Sequence, residues 1–202
     1  MPMRSHQYAP TTPDLVTPAP AREAAPKILA SAVGMLDLVA QRRLHSPHGR
    51  IGTVVGFADG TRARIYRETT VDAGAAADPV VLVVGFVLRG IHGRAHTAFR
   101  FESWANTPMF VGFPGFTSKL WMAHDDREVY RGFYEWDGAD RAAAYVRALS
   151  WVLGLVCVPD SVQAHIVAGV RRDDALAQPD LLGPPDPARE HWWRPLAPVS
   201  ER

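Results

Sequence analysis

Apolar residues recur along this chain with two different periods, and the period predicts the element. In residues 27–43 they are three and four positions apart, which indicates an amphipathic helix. Residues 61–70 alternate apolar with polar side chains, and the Asp-Gly pair before them predicts a hairpin with residues 51–57. Residues 80–88 are almost wholly apolar, which predicts a strand buried on both faces.

Five further elements, two helices and three strands, follow along the chain. The predicted ranges are a helix in 96–111 that stops near Pro108, strands in 116–124 and 129–136, a helix in 139–156 and a strand in 162–170. With the strand at 80–88 they give the order β-α-β-β-α-β. This order is typical of an α+β, ferredoxin-like domain with an antiparallel sheet and both helices on one face.

Prolines divide the chain into four parts. Six of the 17 prolines lie in residues 1–26 and six more in residues 176–202, so both segments are predicted to be extended tails. Residues 27–78 then form an N-terminal extension of helix and β-hairpin, and residues 79–175 form the ferredoxin-like domain. Because one face of its sheet would be bare and apolar, we expect a second copy to cover it in a homodimer.

Composition and charge remove several classes of function. The 22 Lys and Arg nearly balance 21 Asp and Glu, for a net charge of +1, and no basic run indicates nucleic-acid binding. No apolar stretch approaches the roughly 20 residues that a membrane helix needs, and residues 1–26 lack a secretory signal. The single cysteine, Cys157, lies in an apolar run and has no intrachain partner. We therefore expect a cytoplasmic protein that binds neither nucleic acid nor membrane.

The stretch 114–145 carries a string of short motifs. The string reads Pro114-Gly-Phe-x-x-Lys119-x-Trp121, then Gly132-x-Tyr134-x-Trp136, then Ala142-x-x-Tyr145. These motifs resemble those of the dimeric α/β-barrel superfamily, and in particular the YdhR-like monooxygenases and the antibiotic biosynthesis monooxygenases. The resemblance covers residues 80–172, less than half the chain, and it implies a ferredoxin-like fold that forms a dimeric α/β barrel.

The resemblance also implies a small-molecule tailoring enzyme. The best-known relatives are cofactor-independent monooxygenases of aromatic polyketides, so we expect no cofactor and a hydrophobic aromatic or enolic substrate that supplies electrons to O2 itself. Other members bind haem or catalyse isomerisation and lactone chemistry, which leaves a non-redox cyclase or isomerase and a non-catalytic ligand-binding module as alternatives. Phosphate-loop, dinucleotide, nucleophile-elbow and zincin motifs are absent from the sequence.

Period-two geometry places a lysine among aromatic side chains. Lys119 shares a strand face with Trp121, and Tyr134 shares one with Trp136 on the next strand. If the two faces coincide, the amine lies in an aromatic pocket where it could hold an enolate or a phenolate. The alternative is a solvent-facing Lys119 on a strand edge, paired with an acidic residue such as Glu135.

Further candidates for substrate contact lie on the helices and on the last strand. Tyr145 is expected to point at the sheet, and Trp104 and Asn106 are expected to line a cavity between helix and sheet. His165 could face either the pocket or the dimer seam. Simple packing is the alternative for the aromatic candidates, since strand aromatics commonly fill cores and interfaces.

His92 and His96 are the candidate proton acceptors, because the loop after a first strand commonly borders a pocket. Their i, i+4 spacing also suits a metal or a haem ligand. Gly93 weakens a helix at that point and no third ligand has a recognisable spacing, so we predict no metal site. Haem binding is kept as an alternative.

Overall fold

The structure, a computed structural model, describes residues 17–90, 107–184 and 191–196. Within these ranges the chain is an α+β protein with an open, antiparallel sheet of seven strands and three α-helices. The strands are β1 Leu44–His45, β2 Val54–Gly56, β3 Arg62–Val71, β4 Pro79–Val87, β5 Phe116–Met122, β6 Val129–Asp137 and β7 Gln163–Ala168. The helices are α1 Ala21–Ala40, α2 Ala139–Val156 and α3 Arg172–Ala177.

The predicted hairpin is confirmed, and it joins the main sheet. Gly60 adopts the left-handed φ of 84° that its turn requires, and Gly56 pairs with Arg62. The strand order is β1-β3-β5-β6-β4-β7, with β2 also paired to β3. Because β3 pairs with β5 from Ile65 to Thr70, β5 is an internal strand of the sheet.

Strand β4 is buried on both faces, as its apolar sequence predicts. It lies between β6 and β7, and Val80, Leu82 and Val84 point into one core. Val81 and Val83 point into a second core on the opposite face. The sheet therefore separates two apolar layers, and each of them needs its own cover.

Helix α2 covers the first face of the sheet, the one that carries Val80, Leu82 and Val84, and α1 packs on α2 and on the turn Thr107–Met109. Helix α2 spans the predicted range 139–156, whereas α1 begins six residues before the predicted start at 27 and ends at Ala40. The tail predicted for residues 1–26 is therefore wrong from Ala21 onward. Pro26 removes one helical N–H, but burial of Ala24 in the core, where it is 0% exposed, holds the first turns in place. No helix in the described part of the chain has the length and apolar character to cross a membrane.

The second face is covered by the C-terminal part of the same chain. Helix α3, the 3-10 turn Pro179–Leu182 and the segment 191–196 pack there, and Trp192 and Trp193 are 5% and 8% exposed. The extended tail predicted for residues 176–202 is wrong for these segments, since they supply apolar side chains that the sheet buries. Proline content alone did not reveal that packing.

Buried ion pairs hold α3 and the C-terminal segment against the sheet. Arg172 donates from Nη2 to Glu68 Oε1 at 2.6 Å, and its backbone N–H donates to Glu135 Oε2 at 3.0 Å. Arg131, on β6, donates to Asp125 and to the backbone oxygen of Trp192. These bonds satisfy charges that would otherwise be costly to bury.

The covered second face changes the argument for a homodimer. The prediction of a second copy assumes that this face of the sheet is bare. Trp192, Trp193 and α3 cover this face. The homodimer stays a prediction, and the bare face no longer supports it.

Gly85 provides a direct test of where the C-terminal segment lies. An ideal Cβ on Gly85 would lie 2.8 Å from Cζ3 of Trp192. We expect Gly85→Ala to displace Trp192 and to lower the free energy of unfolding by about 1–3 kcal/mol in urea titrations. Gly154→Ala is the matched control, because nothing lies within 4 Å of that Cβ in α2. It should raise the free energy of unfolding by about 0.5–1 kcal/mol, and an unchanged Gly85→Ala protein would contradict the packing described here.

Candidate functional site

A cavity of about 610 Å³ lies between the first face of the sheet and α2. Cavities of this size hold drug-sized ligands. Its apolar and aromatic lining includes Tyr66, Phe86, Leu88, Met109, Phe110, Trp121, Tyr130, Tyr134, Tyr145, Leu149, Val152, Leu153, Leu155 and Val156. Leu155 and Val156 are also 64% and 48% exposed, so this end of the cavity reaches the surface through apolar side chains.

Lys119 places an amine in the wall of this cavity. Its Nζ lies 3.2 Å from the ring centroid of Trp121, 4.5 Å from that of Phe110 and 4.7 Å from that of Tyr134. The residue is 6% exposed, because β3 and β6 flank its strand on both sides. The alternative of a solvent-facing lysine on a strand edge is therefore wrong.

Burial and a neighbouring cation change the charge state of this amine. Loss of hydration is the larger effect, and the Arg67 guanidinium adds repulsion; together they hold the Lys119 pKa well below its usual value of 10.5. The aromatic faces stabilise the cation and so oppose part of that effect. The result is an amine that loses its proton, and so becomes a base, at a lower pH than an exposed lysine does.

A β-bulge in β3 brings two more side chains to the cavity face. The pairing register with β5 shifts between Ile65 and Arg67, so Tyr66 is an extra residue opposite β5. Tyr66 lines the cavity, and the Arg67 guanidinium carbon lies 4.8 Å from the ring centroid of Trp121. Arg67 also donates to Thr107 Oγ1 at 2.6 Å, and its burial lowers its pKa to about 10.

Strand alternation sorts charges between the two faces. Arg67 and Lys119 lie on the cavity face, whereas Glu68 and Glu135 lie on the opposite face with Arg172. Among the described residues that line the cavity there is no aspartate or glutamate. The described wall is therefore suited to a ligand oxygen that carries or develops negative charge.

Two tyrosine hydroxyls form a second polar group in the cavity. Tyr134 Oη and Tyr145 Oη lie 3.2 Å apart, and burial is the main cause that raises the pKa of each phenol above its usual value of 10.0. Both hydroxyls therefore stay protonated at neutral pH, and one O–H of the pair remains available for a ligand. Gly132 permits this arrangement, since a Cβ there would lie 2.5 Å from Cε2 of Tyr134.

The predicted aromatic residues separate into two groups. Trp121, Tyr134 and Tyr145 line the cavity. Trp136 is fully buried beside Phe116 and Tyr145 and is not among the lining residues, so it has a packing role.

His165 does not reach the cavity. It pairs in register with Val83, whose side chain points into the second core, and its ring stacks on Trp193 with centroids 3.6 Å apart. The side-chain alternation of β7 therefore places it on the opposite face of the sheet from the cavity, which contradicts the predicted substrate contact there.

Four predicted residues lie outside the described part of the chain: His92, His96, Trp104 and Asn106. Arg89 and Met109, which are described on either side of them in the sequence, both line the cavity. Within the described ranges, no group of three His, Cys, Asp or Glu could hold a metal ion.

Sequence reasoning missed two important residues of the cavity. Phe110 contacts Lys119 from a turn before β5, and Tyr66, which lines the cavity, comes from the hairpin that lies outside the predicted domain. Period-two alternation could not place Tyr66, because a bulge shifts the alternation at that residue.

No protein-family model, no curated protein and no solved structure matches this chain.

The two lysines of the chain allow a direct measurement of the Lys119 pKa. Lys27, on α1, is exposed, and Lys119 is the other one. Reductive methylation with isotope-labelled formaldehyde under mildly denaturing conditions, followed by refolding, should give two dimethyl-lysine NMR signals. We expect Lys119 to titrate at a clearly lower pH than an unperturbed lysine, and the exposed Lys27 supplies the reference signal. Coincident titration curves would show that the amine is solvated.

Because its pKa is lowered, Lys119 should lower the free energy of unfolding by an amount that depends on pH. The unfolded chain binds a proton at Lys119 below about pH 10.4, whereas the folded chain does so only below its lower pKa, so wild-type stability rises with pH between those two values. Lys119→Met lacks this dependence. Its stability advantage over wild type should therefore shrink as pH rises, by about 1.4 kcal/mol for each unit between the two pKa values.

Urea unfolding between about pH 6 and about pH 10 measures this difference. Lys27→Met is the control, because it removes the other lysine of the chain from an exposed position on α1. A constant difference between Lys119→Met and wild type over this range would contradict the lowered pKa.

Proposed function

We propose that the protein is a small-molecule enzyme that removes a proton from a hydrophobic aromatic or enolic substrate, with oxygenation of the resulting anion by O2 as the overall reaction. The observation that carries the proposal is the buried Lys119 amine, which lies in an aromatic cavity beside Arg67. An amine with a lowered pKa is a competent general base near neutral pH. The apolar end at Leu155 and Val156 suits the entry of a hydrophobic molecule.

The strand order supports the related proposal of a ferredoxin-like unit. Strand β6 lies between β4 and β5, and β7 lies on the other side of β4. That is the arrangement of a split β-α-β motif. In this view β1, β2 and β3 are additions to that unit, and β3 lies beside the strand that carries Lys119 and lines the cavity through Tyr66.

In the proposed first step, neutral Lys119 takes a proton from an acidic C–H or O–H of the substrate. The ammonium that forms lies against the faces of Phe110, Trp121 and Tyr134. The negative charge that develops on the substrate oxygen is stabilised by that ammonium, by Arg67 and by a hydroxyl of the tyrosine pair. Apolar walls keep water away from the anion.

In the second step, the substrate anion passes one electron to O2, and the two radicals combine to form a carbon–oxygen bond. The peroxide anion takes back the proton from Lys119, which regenerates the neutral amine. Where the oxygenated carbon still carries a hydrogen, loss of water leaves a carbonyl group. One oxygen atom of O2 then lies in the product and the other in water, and the substrate has supplied all the electrons.

Oxygen uptake and proton exchange test the two steps separately. We expect metal-depleted protein to consume O2 with at least one member of a panel of anthrones, naphthols and 1,3-diketones. Lys119→Met should lower the rate by about 100-fold or more, since it removes the base. Lys27→Met, the matched control, should leave the rate unchanged.

Hydrogen–deuterium exchange of the substrate C–H, followed by NMR under nitrogen, reports the first step alone. If exchange depends on Lys119 but no O2 is consumed, the overall reaction is that of a cyclase or an isomerase and not an oxygenation. If no member of the panel shows either exchange or O2 uptake, the proposed function is overturned.

A further inference from the structure

Only two residues of this chain are lysine, and one of them, Lys119, is buried. If the fold needed only a buried positive charge at position 119, an arginine would supply it. Twenty of the 22 basic residues are arginine, and the buried cations Arg67, Arg131 and Arg172 all bind oxygen acceptors. Arginine is always protonated and makes a better structural cation, whereas a desolvated lysine can lose its proton. Of these two cationic side chains, position 119 therefore carries the one that can act as a nucleophile.

The surroundings of the Lys119 amine favour a nucleophile over a structural cation. Among the described residues it contacts three aromatic ring faces, at 3.2 to 4.7 Å from their centroids, and no carboxylate is paired with it. The neighbouring carboxylates Glu68 and Glu135 are directed to the other face of the sheet and are bound by Arg172. Either carboxylate would form an ion pair with a charged lysine on its own face, but neither lies on the face that carries Lys119.

We propose that Lys119 forms a covalent imine with an aromatic aldehyde or ketone that enters the cavity. The inference rests on the proposed function, because it assigns the carbonyl class of substrate and a covalent role to the same amine. Where the carbonyl compound has a neighbouring C–H group, transfer of that proton to the imine nitrogen gives an enamine, which is an electron-rich equivalent of the enolate. In this covalent route the imine nitrogen of Lys119 accepts the proton that the free amine accepts in the proposed function.

The chemistry requires no further reagent. The Nζ lone pair attacks the carbonyl carbon, and the carbonyl oxygen takes up a proton to give a carbinolamine. Loss of the nitrogen proton and departure of the hydroxyl group as water leave the carbon–nitrogen double bond. Amine and carbonyl compound are thus converted to imine and water, with no change of oxidation state.

The tyrosine pair is placed to serve the proton transfers. Tyr134, whose ring centroid is 4.7 Å from Nζ, bonds to Tyr145 through hydroxyls 3.2 Å apart. Both phenols remain protonated at neutral pH, so one O–H can donate to the carbonyl oxygen while the other orients it. Arg67 is the charged group that acts on the amine, and Tyr66, Arg89, Tyr130 and Arg131 also line the described cavity.

Reductive trapping on the intact chain tests the imine. The protein is incubated with naphthaldehyde and cyanoborohydride near neutral pH, and the reduced adducts are located by peptide mass spectrometry. Cleavage at arginine places Lys27 and Lys119 in different peptides, residues 23–42 and 101–127, both separate from the α-amino group. An ordinary lysine is neutral in roughly one molecule in 2,500 at pH 7. We therefore expect Lys119 to be modified at least about tenfold faster than Lys27.

A competitor without a carbonyl group shows where the reaction takes place. Methylnaphthalene should slow the modification of Lys119 and leave that of Lys27 unchanged, because it competes for the cavity alone. Tyr134→Phe should slow adduct formation at Lys119 while its circular dichroism spectrum stays that of the wild type. Equal or slower modification of Lys119 relative to Lys27 would overturn the imine.

The failure of this inference is distinct from failure of the proposed function. Lys119-dependent hydrogen–deuterium exchange without any trapped adduct would leave Lys119 as a general base and remove the covalent step. Absence of both the exchange and the adduct would remove both proposals.

Discussion

The pairing of β3 with β5 is the interaction on which the site depends. Without β3, the strand that carries Lys119 would be an edge strand, and a lysine there would reach water. With β3 in place, the amine is confined between aromatic rings and close to Arg67, and its proton is held less tightly. The hairpin that precedes the central strands is therefore part of the chemistry and not an attachment to it.

The two faces of the sheet differ in how they are packed and in which charged groups they carry. The C-terminal tryptophans and the ion pairs of Arg131 and Arg172 close the second face. The first face is packed by α2 but retains a cavity. Strand alternation directs the carboxylates of Glu68 and Glu135 to the second face. This separation leaves the cavity side with cations and hydroxyl groups, the set that an oxyanion needs.

Much of the local structure could be predicted because local patterns control it. The range of α2 followed from its helical period, and the hairpin followed from Asp59 and Gly60. The shared face of Lys119 and Trp121 followed from period two, whereas the register of β5 with β6 decided that Tyr134 lies on the same face. The prediction failed where distant segments decide the outcome: Trp136 is packed away from the cavity, His165 stacks on Trp193, and the proline-rich C-terminal segment binds the sheet.

By itself the sequence determined which side chains share a strand face and which residue types are available for chemistry, because both depend on neighbours a few positions apart. The tertiary structure decided that β5 is internal, that a bulge turns Tyr66 and Arg67 toward the cavity, and that the second sheet face is closed by the chain itself. Those outcomes depend on contacts between residues far apart in the chain. Desolvation of Lys119 is a property of that packing, so no local pattern could reveal how strongly its proton is held.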